Sequence, residues 1–338
     1  MLPALLAAAA LAAACPGACH AQPTVRARTA AADPLAARAL AGDPYVADRA
    51  RAQARRWRPS RPADAAALDA LAAQPQAAWM GDWNTDVRSD VAGVVAAARG
   101  ATAVLVAYDI PLRDCGGYSA GGAGSAAVYL RWISAFAAGL GQAPAAVVLE
   151  PDAVAGWDCL NVAQRRERAA LLRSAIAVLR ADRRAAVYLD AGNSTWHAPA
   201  AIAGRLRQAG VAGARGFALN VSNFRTTAES VAYGHAISSA LGRPTPFVVD
   251  TSRNGAGPAP GDAWCNPPGR ALGRPPTTAT GDPHVDAFLW VKTPGESDGT
   301  CNGGPAAGEW WPDYAVACSG AGQTPRSHGR RPRVRGAR

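Results

Sequence analysis

The chain of 338 residues has almost no lysine: Lys292 stands alone against 34 arginines. With 35 Gly, 26 Pro and abundant Ala, this suggests a GC-rich coding bias, so each rare residue type is more informative than usual. Charge is sparse at 18% of residues, against 49% apolar. Such a chain can bury a sizeable core, which excludes the disordered class. Past residue 21 no stretch approaches the about 18 consecutive apolar residues of a membrane span. There is no CxxC, no Cys/His cluster, no HExxH, and no GxGxxG at a strand–helix turn. A metal site, a dinucleotide or other cofactor, and a serine-hydrolase nucleophile elbow are therefore not expected.

Nucleic acid is also set aside, although the formal charge is +10. Residues 22–64 hold nine Arg against four Asp, and residues 319–338 hold six Arg and no acid. The body, 65–318, carries 20 bases and 21 acids. A phosphate-tracking groove needs its cations clustered on the domain itself, and here they sit at the ends.

The first 21 residues form an uncharged apolar run closing on small residues, which reads as a secretory signal peptide cut after Ala21. The sequence Leu11-Ala12-Ala13-Ala14-Cys15 offers a lipid anchor through Cys15 as the alternative. Either reading exports the protein, to the periplasm or beyond. Five cysteines remain after cleavage: Cys115, Cys159, Cys265, Cys301 and Cys318. In an oxidising compartment the most local pairing is Cys115 with Cys159 and Cys265 with Cys301. Each loop would contribute about 3–4 kcal/mol in the chain-entropy model. Buried free thiols are the alternative, and Cys318 is left free or intermolecular.

Residues 22–33 read as a linker, 34–318 as the functional domain and 319–338 as a basic, disordered tail. Within 34–76 the pattern is helical, interrupted by Pro44, Pro59 and Pro62. Short apolar runs then recur at 77–80, 102–109, 145–152, 185–192, 216–223, 246–254 and 285–292. Helical stretches such as 125–140 and 164–181 separate them. Continuous apolar strands alternating with helices predict a parallel sheet covered on both faces, and seven βα units suggest a barrel.

Nearly every run ends in an acid or amide: Asp109 and Asp114, Glu150 and Asp152, Asp190 and Asn193, Asn220 and Asn223, Asp250 and Asn254, then Lys292, Glu296 and Asp298. One such residue could simply cap the next helix. Six strand ends with the same habit point instead to a site at the C-terminal face of a barrel. Carboxylates alone could bind Mg²⁺ or Ca²⁺ or share acid and base roles across a glycosidic bond. Tryptophan favours the sugar. Ten are present, and Trp79, Trp83, Trp157, Trp196, Trp264, Trp310 and Trp311 share those loops. Pyranose faces stack on such flat, amphipathic rings.

The segments YDIPLRDCGG (108–117), VVLEPD (147–152), VYLDAGNSTWH (187–197), WCNPPGRALG (264–273) and FLWVKTPGESDG (288–299) closely resemble glycoside hydrolase family 6, the inverting β-1,4-glucanases. The likeness runs from about residue 34 to 318. It implies an α/β fold, a distorted seven-stranded parallel barrel with its cleft at the C-terminal ends of the strands. It also implies that Asp152 is the general acid, that Asp114 shares a hydrogen bond or proton with it, and that Tyr108 crowds the scissile sugar. Arg113 would set the local charge, and Asp298 would occupy the place of the disputed base. Asp190 would line the site, and Asn220, Lys292, Glu296, Trp79, Trp196 and Trp264 would bind glucose units. The two local disulfides are those the family forms. Two departures stand out: Ala120, preceded by Ser119, replaces a water-holding Ser, and Asn193 replaces a His.

Only nine residues separate Asn254 from Trp264, and Glu296 to Cys301 is equally tight. Short loops imply an open cleft and internal cleavage by a monomer. An exo-acting cellobiohydrolase and a non-catalytic glucan-binding protein are the alternatives.

Overall fold

A computed structural model describes residues 34–36, 38–181 and 184–320. The expected signal peptide, linker and nearly all of the basic tail lie outside these residues. The chain opens with β1 (Leu40–Ala41), α1 (Pro44–Trp57) and α2 (Pro62–Ala72), followed by β2 (Ala78–Met80), α3 (Val87–Ala97) and β3 (Thr102–Ala107). Next come α4 (Ala126–Leu140), β4 (Ala145–Leu149), α5 (Val162–Leu179), β5 (Ala185–Asp190), α6 (Pro199–Ala209) and β6 (Gly216–Leu219). The last elements are α7 (Thr227–Ala240), β7 (Phe247–Asp250), β8 (Val285–Leu289) and α8 (Pro312–Ser319).

Pro44 and Pro62 do not interrupt a helix; each begins one. At the first helical position the missing N–H was unpaired in any case, and the fixed φ favours the turn. Further along, α4 starts at its Ser125 cap and α5 at an Asn161–Gln164 capping box, both near the predicted stretches.

All strand pairs are parallel, in the order β2-β3-β4-β5-β6-β7-β8. These seven are the predicted units. The eighth strand, β1, was not legible in sequence and pairs only with the start of β3. Successive residues alternate between two cores. Val104, Val106, Val148, Tyr188, Val248 and Leu289 fill the barrel interior, while Leu105, Val147, Leu149, Leu189, Phe217 and Val249 pack outward on the helices. The curled sheet almost closes: β2 and β8 meet through the bridge Gln76–Trp290 and the bond from Ala77 N to Trp290 O (2.9 Å). A third cluster from α1, α2 and α8 covers that seam over Trp290.

Candidate active site

Six of the seven strands end earlier than their apolar runs. Beyond their last residues the backbone turns through left-handed conformations at Glu150, Asp152, Asn220 and Ser222. Non-glycine residues adopt such values at a cost of about 1–3 kcal/mol, and they cluster where geometry is functional. The result is two tiers of polar residues with different jobs.

The lower tier stitches loops together. Glu150, fully buried, accepts N–H bonds from Asp109 (3.1 Å) and Ile110 (3.0 Å) beyond β3. Asp190, also fully buried, accepts from Asp152 N (2.9 Å) and Gly192 N (3.1 Å). Asp250 holds Ser222 N, Ser252 N, Val291 N and Lys292 N. Asn220 spends its amide on the backbone of Arg225 and Asp250. Asn220 and Asp190 are both fully buried, and Asp190 uses Oδ2 for both of its backbone bonds. Each side chain points sideways into its neighbour's loop, where backbone N–H and C=O groups need partners once water is excluded.

The upper tier faces a cavity of about 280 Å³ lined by Arg113, Asp114, Asp152, Arg168 and Trp196. Asp152 is half-buried at its edge. Burial, and then the negative charges of Asp190 and Asp114, push its pKa well above the usual carboxylate value. Burial likewise raises Asp190 to about 7 and Glu150 to about 8. The expected hydrogen bond between Asp114 and Asp152 is not made. Left-handed conformations at Asp114 and Cys115 fold the Asp114 carboxylate back onto Ser119 N (2.7 Å), so it acts on Asp152 through charge.

Arg113 is buried and braces the same loop. Its guanidinium donates to Tyr108 O (2.8 Å), Ser119 O (2.8 Å) and Asp82 (3.1 Å), and it lies over the Tyr108 ring at 4.6 Å. Tyr108 meets Trp79 edge-on at 5.2 Å, and Trp79 Nε1 donates to Val291 O (2.8 Å). From α5, Arg168 donates to Pro111 O and Leu112 O. The Cys115–Cys159 disulfide then ties the Asp114 loop to the segment after β4.

Asp298 is the electrostatic opposite of Asp152. It is 8% exposed, and burial alone would raise its pKa. The charges of Arg253 and Lys292 outweigh that and hold it below the ordinary value. Arg253 Nη1 lies 2.9 Å from Oδ2, Lys292 Nζ 3.6 Å from Oδ1, and Asn266 N donates to Oδ2 at 3.0 Å. The Cys265–Cys301 disulfide joins the loops of Trp264 and Asp298. Trp264 and Trp196 are half exposed at the rim. Asn193 shapes the turn presenting Trp196, accepting from Thr195 N and Oγ1. Glu296 is paired through Oε1 with Arg49 of α1. Cys318 is an unpaired thiol but buried, so the intermolecular alternative falls.

Sequence reasoning missed several residues. Arg253 stood inside the run 246–254 among polar neighbours, Ser252 and Asn254, with no pattern that singled it out. Arg49 lies 247 positions from Glu296 and gave no signal. Tyr118 packs its ring on Gly299 and beside Trp264, 6.2 Å between centroids, and so reaches from the Asp114 loop to the Asp298 loop. Two segments, Gly117–Gly121 and Gly295–Gly299, do have GxSxG spacing. Neither forms an elbow at a strand–helix turn. Ser119 sits mid-loop, and the buried Ser297 hydroxyl donates to Gly299 O and Pro305 O. Among the described residues no group of three or more His, Cys, Asp or Glu is placed to hold a metal ion.

A parallel barrel with one carboxyl group of raised pKa, one of lowered pKa and exposed tryptophans nearby is the arrangement of a glycoside hydrolase. The comparisons give its family. Residues 35–319 match the model of glycosyl hydrolases family 6, and the chain belongs to that family. It is 51% identical over 265 residues to Endoglucanase 1 of Streptomyces sp. (strain KSM-9), covering 75% of this chain and 73% of that protein. It is 46% identical over 277 residues to Endoglucanase 1 of Streptomyces halstedii, covering 78% and 84%. The endoglucanase Cel6 from Mycobacterium tuberculosis, solved with a methyl-cellobiosyl thio-cellobioside, superposes with a TM-score of 0.80 at 49% identity, covering 86% of this chain and 99% of that one.

Proposed function

We propose that this protein is an exported endo-β-1,4-glucanase that cleaves cellulose-type glucans with inversion, using residues 34–318 as its catalytic domain. The observation that carries the mechanism is the opposed electrostatics of Asp152 and Asp298. Asp152, its pKa raised by burial and by the charges of Asp190 and Asp114, donates its proton to the leaving glycosidic oxygen. Asp298, ionised between Arg253 and Lys292, balances the positive charge that develops on the sugar and draws a proton from the attacking water. Tyr108, held by Arg113 and Trp79, sets the sugar's shape at the cleavage point. Trp79, Trp196 and Trp264 carry neighbouring glucose units, and Lys292 contributes from the floor. A protein that only bound glucan would gain nothing from two carboxyl groups with pKa values driven apart.

Internal cleavage is supported by the endoglucanase names of the relatives and by the short loops around Trp264 and Cys301. One experiment tests both features: hydrolysis of carboxymethyl cellulose, with viscosity plotted against reducing ends, alongside proton NMR of early products from a soluble cello-oligosaccharide. Viscosity should collapse while few ends have formed, and the α-anomer should appear first. A slow, proportional decline would mean exo attack, and an initial β-anomer would mean a covalent retaining route. Glucan binding without any cleavage would leave only the binding-protein alternative.

A further inference from the structure

We propose that Trp83 is an additional glucan-binding platform, extending the cleft past Arg113 on the β2 side. The inference rests on the glucanase reading but assigns a residue outside the site described above. Trp83 is 53% exposed, among the most exposed large apolar side chains of the described residues. It is nonetheless held rigidly. A Cβ on Gly81 would fall 2.4–2.8 Å from three carbons of the Trp83 ring, so the indole rests directly on the Gly81 backbone. The turn beneath is locked by Asn84, whose Oδ1 accepts from Gly81 N (2.9 Å) and whose Nδ2 donates to Asp90 (2.7 Å).

The turn is also tied to the catalytic loop. Asp82 accepts from Arg113 Nη1 (3.1 Å) and Gly122 N (2.9 Å), gripping both stems of the loop that carries Asp114. Arg113 Cζ lies 5.3 Å from the Trp83 ring centre and 4.6 Å from that of Tyr108. The two rings therefore flank one guanidinium, and a glucan crossing Tyr108 reaches Trp83 within a few sugar units. A preset indole loses little rotamer entropy on binding. Beside it Asp82 is ionised, its pKa held below the ordinary value because hydrogen bonds from Gly122 and the charge of Arg113 outweigh burial. A flat apolar face next to a hydroxyl acceptor is the composition of a pyranose site.

The test is kcat/KM on a short and a long cello-oligosaccharide, cellotriose and cellohexaose, for wild type, Trp83→Ala and Trp83→Phe. Trp83→Ala should lower the value on the long substrate about 3- to 10-fold, through KM, and leave the short one within about 2-fold. Trp83→Phe, which keeps a ring on Gly81, should recover part of the loss. An equal loss on both substrates would show only a disturbed loop, and no loss on either would show a ring that meets no sugar; both overturn the proposal. Failure of the glucanase reading is separate, since the wild type would then cleave neither substrate.

Discussion

Replacing Arg253 with Met should expose how much of the fold depends on one buried ion pair. Arg253 has no exposed surface and Asp298 is 8% exposed, with 2.9 Å between Nη1 and Oδ2. Met keeps most of the aliphatic volume and the contact with the Phe224 ring, over which the guanidinium lies at 4.5 Å. It leaves a carboxylate in the interior with Lys292 at 3.6 Å as its remaining cationic partner. Removing one member of a buried pair costs about 3–5 kcal/mol, which for a domain of this size corresponds to a drop in Tm of roughly 5–8 °C. The pH dependence fixes the cause. Because Asp298 has a lowered pKa in the fold, its stabilisation is present above the unfolded value of about 3.9 and is lost as pH falls through the folded value. The deficit of Arg253→Met should therefore be full at neutral pH and shrink in acid. Calorimetry across pH on the wild type, Arg253→Met, Asp298→Asn and the double variant measures this, and the double variant should be less destabilised than the sum of the singles by about 1–3 kcal/mol. Strictly additive losses, or a deficit independent of pH, would refute the electrostatic account and leave only packing.

Two further outcomes concern Asp152. Asp152→Asn should lose at least about 100-fold in turnover on unactivated glucans while binding survives; near-normal turnover would move the acid elsewhere. Asp190→Asn removes one charge that raises the Asp152 pKa. The acid then loses its proton at lower pH, so the alkaline limb of the kcat/KM profile should shift downward, and an unmoved limb would sever the link.

The strands, helices and rim were legible because their causes are local or periodic. Val104 to Val106 and Val147 to Leu149 are apolar on both faces, as a parallel strand between two cores must be. Ser125 and Asn161 announce helix starts through their own side chains. The family motifs named Asp152 and Asp114, which line one cavity, and Asp298, which sits between two cations. Sequence could not show that several polar strand ends also bind the backbone of neighbouring loops.

The amino-acid sequence by itself determined the order of βα units and favoured the local cysteine pairs, which the structure shows bonded. Only the tertiary structure decided which polar residues do what, because roles depend on neighbours distant along the chain. Asn220 and Asp190 bond the backbones of loops beside them. Glu296 is paired with Arg49, 247 residues away. Asp152 and Asp298, the same side chain in sequence, acquired opposite pKa shifts because one is buried beside carboxylates and the other between two cations. Local pattern fixes where a side chain is carried; the field it meets there is a sum over the whole fold.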